Sequence, residues 1–166
     1  MRNIIAFPLL GLAIILQSSI VSQVKLISGY ADLFLLILAA WALQERVKSA
    51  WQWAVVACLM IAFVSSMPWP IVVIGYLGVI FMAQVLQRRV WQAPLLAMFS
   101  VIFIGTLFIH LLSYVVLRIL GTPLPFDDVI SLITLPSLLL NMLFSIPIYA
   151  LMRDLAHWVY PFEEHE

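Results

Sequence analysis

The residues able to do chemistry in this chain are few, and most fall inside apolar runs. His110, Ser113 and Tyr114 stand at i, i+3 and i+4, a spacing that puts them on one helix face. Asn141 lies near the middle of the last apolar run, PSLLLNMLFSIPIYALMR, and can meet that face from a neighbouring helix. Gln17 falls near the end of the first run, and Asp32 opens the second. A polar side chain in hydrocarbon needs a protein partner, because lipid offers none, and an ionisable one is by default a functional candidate. A serine with a histidine could form a nucleophilic dyad, and a buried imidazole could relay protons. The first chemistry lacks its context: no serine sits in Gly-x-Ser-x-Gly or Gly-x-Ser-Gly, and neither Gly-x-Gly-Asp nor His-Glu-x-x-His occurs. The second lacks the carboxylates of an ion-coupled transporter, since no Asp or Glu falls in the middle of a run. The set reads as non-catalytic. Gln17, Asp32, His110, Ser113 and Asn141 are expected to be buried polar groups of a bundle or contacts to a partner.

The elements that must position them are membrane helices. Of the 166 residues, 65% are hydrophobic and 10% charged, with a mean hydropathy of +1.14. A soluble domain carries roughly a quarter charged residues, so this composition excludes that class. The eight basic residues are scattered and the net charge is zero, which leaves no nucleic-acid footprint. Cys58 is the only cysteine, so an intramolecular disulfide and a multi-cysteine metal site are excluded, and no cofactor is expected.

Hydropathy divides the chain into six runs, approximately 4–22, 31–47, 50–66, 71–87, 94–120 and 136–153, forming one transmembrane domain over residues 1–166. The predicted fold is all-α, a compact polytopic bundle. The first run resembles a signal peptide, but cleavage is not expected ahead of a chain that is itself membrane-embedded. The second run is short: it crosses only if Asp32 caps its start and Gln44 to Val47 complete its last turn. A re-entrant segment is the competing reading. Met67-Pro68-Trp69-Pro70 reads as a tight turn, and Gly121-Thr122-Pro123-Leu124-Pro125 as a firm stop. Asp127 is expected to cap a short amphipathic turn through Thr134 before Pro136 opens the sixth run. Pro147 lies inside that run and leaves the Leu143 carbonyl without its helical donor.

Six crossings with a cytoplasmic N-terminus put Arg2, Arg46, Lys48, Arg88, Arg89 and Arg153 on the inner side, against Lys25 and Arg118 outside. That bias predicts N-in, C-in topology. It also places Trp41, Trp51, Trp53, Trp91 and Trp158 in an inner aromatic belt. Ala50, Ala54 and Ala57 on the third run, with Gly75 and Gly78 on the fourth, permit close helix approach. They serve either packing within the bundle or a docking face for an outside helix.

This layout resembles MreD, the small integral membrane family of the bacterial rod-shape (elongation) machinery. The resemblance rests on Leu16-Gln17-Ser18 closing the first span and Asp32-Leu33-Phe34-Leu35-Leu36 opening the second. In the last span it rests on Leu140-Asn141-Met142-Leu143, Pro147, Tyr149 and Leu151-Met152-Arg153. Ala31 stands where the family usually has proline, and Ala54 to Ser66 lacks the family's glycines and aspartate. The resemblance implies a protein without catalytic activity in the bacterial cytoplasmic (inner) membrane. Its partner is MreC, a protein with one span, and the wider assembly holds RodA, a class B penicillin-binding protein and MreB. It also implies a helix arrangement similar to the S-components of energy-coupling-factor vitamin transporters, which supplies the alternative function.

Overall fold

Each apolar run forms a helix, but the ends fall where local chemistry puts them. The computed structural model describes residues 5–19, 23–45, 47, 49–65, 67–89, 93–122 and 124–160. Its helices are α1 (Ala6–Ser19), α2 (Leu33–Ala42), α3 (Ala50–Val64), α4 (Trp69–Arg89), α5 (Pro94–Ile119), α6 (Phe126–Asp128) and α7 (Leu135–Val159). A π-helical turn, Val129–Thr134, joins α6 to α7 without a break, giving a continuous 34-residue helix. This joined helix, α4 and α5 are long and apolar enough to cross a membrane, whereas α1, α2 and α3 are shorter apolar helices. Arg2, Arg46, Lys48, Ser66, Trp91 and the acidic tail lie outside the described residues.

Prolines explain two departures from expectation. Trp69 and Pro70 do not prolong the turn after α3; they form the first turn of α4. A first-turn proline costs no hydrogen bond, because that N–H has no intrahelical acceptor anyway. Pro136 does not open a new helix either. It lies just past the π turn, and the missing N–H leaves the Leu132 carbonyl free of its usual i+4 donor. Ser28 N–H, from outside the helix, donates to that oxygen at 3.2 Å. Asp127 is not a cap: Pro125 holds the N-cap position of α6, and Asp127 lies in its first turn. α7 continues through Pro147. The expected stop after α5 is present. Gly121, at φ 88°, lets Thr122 N–H reach Leu117 O and Gly121 N–H reach Arg118 O, both near 3.0–3.1 Å.

The polar break between the first two runs is a small antiparallel hairpin, β1 (Lys25–Leu26) with β2 (Gly29–Tyr30), pairing Lys25 with Tyr30 and Leu26 with Gly29. It lies against the start of α7. A Cβ on Gly29 would sit 2.6 Å from Ser137 N and 2.8 Å from Ile133 O, so only glycine permits this approach.

At the centre of the fold is α2. All ten of its residues are buried, and it packs against α1, α3, α4, α5 and α7. Ten residues make a helix only about 15 Å long, half of a hydrocarbon core of about 30 Å. The second run is therefore a short interior helix, with Gln44 and Val47 buried beyond its end in non-helical backbone. The outer faces of the other helices carry large apolar side chains, among them Phe63, Phe81, Ile119 and Leu143, the surface a lipid-facing bundle presents.

Candidate functional site

A helix start leaves four N–H groups without intrahelical acceptors. Around α2 that deficit arises inside the bundle, and side chains from the surrounding elements meet it. Asp32 is the N-cap, with Oδ1 accepting from Leu35 N–H at 3.0 Å. Gln17 of α1 accepts from Leu33 N–H at 2.9 Å and donates to Ala31 O at 2.9 Å. Asn141 of α7 accepts from Asp32 N–H at 2.7 Å and donates to Thr106 Oγ1 of α5 at 3.0 Å. Tyr76 of α4 donates its hydroxyl to Asp32 Oδ2 at 2.9 Å. One turn before Asn141, Ser137 Oγ accepts from Tyr30 N–H at 3.1 Å. Three helices thus converge on the first turn of α2, and α5 joins them through Asn141. Both amide side chains, Gln17 and Asn141, donate and accept at once.

This collar borders a cavity of about 530 Å³. Its polar lining includes Gln17, Asp32, Tyr76, His110, Ser113 and Tyr114. Ile14, Phe34, Ile61, Val72, Ile109 and Ile133 form much of the apolar wall. Asp32 is the one Asp, Glu, Lys or Arg among the described lining residues, and both its oxygens accept hydrogen bonds. Asp32, Tyr76 and His110 all line this one interior space.

Asn141 meets the His110 face of α5 one turn earlier, at Thr106. His110 Nδ1 lies 3.1 Å from Thr134 Oγ1, whose own proton goes to Val129 O at 3.0 Å. A hydroxyl has one proton, so His110 is the donor and its ring ties α5 to the π turn. Ser113 donates to Ile109 O within α5 at 2.7 Å, so serine and histidine form no dyad. Tyr114 packs edge-on against Phe126, with ring centres 5.2 Å apart, and hydrogen-bonds Arg118.

The small-residue face is occupied by the chain itself. Ala50, Ala54 and Ala57 are fully buried, and a Cβ on Gly75 or Gly78 would meet Ile109 at 3.1 Å or Phe108 at 2.9 Å, both on α5. These five residues seat the chain's own helices, which removes them as a docking face for an outside helix. Tyr76, Thr106 and Ser137 were missed by the sequence reading. Their only signal is a hydroxyl within an apolar run, which becomes meaningful once a neighbouring element supplies the other half of the bond.

The opposite end of α2 is built differently. Trp41 and Trp53 stack with ring centres 4.2 Å apart and are fully buried, so neither belongs to an interfacial belt. Trp51 and Trp158 are exposed, as a belt requires. A smaller cavity, about 230 Å³, lies at this end between Gln44, Glu45, Gln87, Pro94, Tyr149 and Arg153. Comparison with known protein families, with curated proteins and with solved structures finds no match to this chain.

Proposed function

We propose that this chain is a non-catalytic membrane scaffold of the bacterial cell-elongation machinery, similar to MreD, with six crossings, the second completed beyond the end of α2 by the residues through Val47, and both termini cytoplasmic. It docks an MreC-like single-span protein in the inner membrane and so supports lateral peptidoglycan synthesis by a RodA and penicillin-binding protein pair alongside MreB. One observation carries the reading. The three motifs on which the resemblance rests each contribute one polar side chain, Gln17, Asp32 and Asn141, and these meet in a single hydrogen-bonded collar. Motifs distant in sequence that converge on one joint behave as a unit. The joint fixes three helices relative to one another, which is what a rigid docking platform needs. Contacts in lipid are individually modest, about 0.6 kcal/mol on average, so partner binding rests on shape over a long face.

Co-purification from membranes tests this directly. An MreC-like protein is expected to come along, and depletion of the chain is expected to round a rod-shaped host. Topology is tested by labelling: with Cys58 replaced, a cysteine at the exposed Glu45 should react only from the cytoplasmic side. Labelling from outside alone overturns the six-crossing arrangement.

The second reading is a substrate-binding S-component of an energy-coupling-factor transporter. The cavity beside Asp32 favours it, since small-molecule sites of about 300–1,000 Å³ with a few convergent polar groups are the rule. Recovery of an energy-coupling module instead of an MreC-like protein, with unchanged cell shape on depletion, would decide for it.

A further inference from the structure

We infer that the cavity beside the collar is a binding site for a small organic amine with an apolar body, seated with its ammonium on the Asp32 carboxylate. The inference is independent of the scaffold reading, since it concerns binding by the isolated protein.

Three observations carry it. The cavity, at about 530 Å³, has the size of a small-molecule site. Its walls are mostly aliphatic and aromatic, so they remove an apolar body from water or lipid headgroups without requiring specific polar contacts. The third concerns charge. Asp32 is the one Asp, Glu, Lys or Arg among the described lining residues. Three neighbouring polar groups are already committed: Gln17 to backbone, Asn141 to backbone and Thr106, and the Tyr76 hydroxyl to Asp32 itself. Each Asp32 oxygen accepts one hydrogen bond, from Leu35 N–H and from Tyr76, which leaves acceptor capacity on both. A site whose one described Asp, Glu, Lys or Arg side chain is a carboxylate with spare acceptor capacity selects a donor-rich cation. It rejects an anion, which would meet Asp32 with no counter-charge.

The geometry also separates this role from capping alone. The cap uses Oδ1, whereas Oδ2 and the Tyr76 hydroxyl make up a second, side-chain pair on the cavity. A helix cap needs no partner on its other oxygen.

The test uses a matched trio of probes with one body: 4-phenylbutylamine, 4-phenylbutanol and 4-phenylbutyrate. Binding is measured calorimetrically to the full chain in nanodiscs of zwitterionic lipid, with empty nanodiscs subtracted. The expected order is amine first, alcohol at least tenfold weaker, and no detectable butyrate binding. Asp32→Asn keeps an N-capping side chain and should abolish the amine's advantage over the alcohol while the helical circular dichroism persists. Ser113→Leu fills the cavity without removing an interhelical bond and should weaken amine and alcohol alike. The inference is overturned if butyrate binds as well as the amine or if no probe binds the wild type. It falls equally if the amine's preference survives Asp32→Asn. Should Asp32→Asn fail to insert, the wild-type order and Ser113→Leu still decide, because equal binding of all three probes, or undiminished binding to the filled cavity, sinks the idea.

Discussion

The two ends of α2 are stabilised by different physics. At its first turn, side chains from α1, α4 and α7 supply directional bonds to the backbone and to Asp32, and Thr106 of α5 holds Asn141 in place. At its last turn, Trp41 stacks on Trp53, and neither indole N–H has a hydrogen-bond partner among the described residues. The first end is specified by hydrogen-bond geometry and tolerates little change of chemistry. The second is held by area and shape, and it carries the cost of two buried, unpaired donors. In a bundle surrounded by lipid this division is informative. Apolar surface alone does not tell one helix face from another, so position along and around the bundle must come from the polar end.

Breaking the polar end should have the largest effect. Asn141→Leu conserves size but leaves Asp32 N–H and Thr106 unpaired in a fully buried place, at a cost of about 3 kcal/mol. Reversible unfolding in mixed micelles would read this as a marked shift in midpoint. An unchanged midpoint would mean that the collar is ornamental. Gly29→Ala comes next. Its Cβ would strike the backbone of the π turn and α7, so the hairpin must lift, Ser28 loses its bond to Leu132 of the π turn and Tyr30 its bond to Ser137 of α7, for roughly 2 kcal/mol. Faster amide exchange at Ser28 and Tyr30 is the specific signature.

The apolar end should respond less. Trp53→Phe removes ring area, which costs stability, but it also removes an orphaned donor. The net loss should stay near 1 kcal/mol, below that of Asn141→Leu. The reverse order, measured in the same micelles, would overturn the comparison. The smallest effect belongs to Trp51, whose indole donates to Gln84 at 2.8 Å on the exposed surface. Gln84→Ala should cost under about 0.5 kcal/mol, within the range of surface substitutions. A larger loss would place that pair in an interface.

Much of the architecture was readable from composition and punctuation. Sixty-five per cent hydrophobic residues point to membrane-like helices, three of them long and apolar enough to cross a membrane, and the runs bounded by Pro, Gly and charge became helices. Asp32 as a cap was legible because a carboxylate just before an apolar run has one obvious local use. Local effects of this kind depend only on neighbours within a turn or so, and the sequence holds them in order.

What only the tertiary structure decided was everything that depends on which side of one helix faces which side of another. The sequence offered six similar apolar runs with nearly featureless periodicity, so it could not tell an interior helix from a peripheral one. α2 is buried all round because five helices surround it, and that choice turned Trp41 and Trp53 from belt residues into core. The same choice turned Tyr76, Thr106 and Ser137 from unremarkable hydroxyls into parts of a collar. The continuous helix from Phe126 to Val159 depends on a distant donor, Ser28, at the carbonyl that Pro136 leaves open. A hydrogen bond needs two ends within about 3 Å. The sequence named one end of each, and only the packing of the bundle supplied the other.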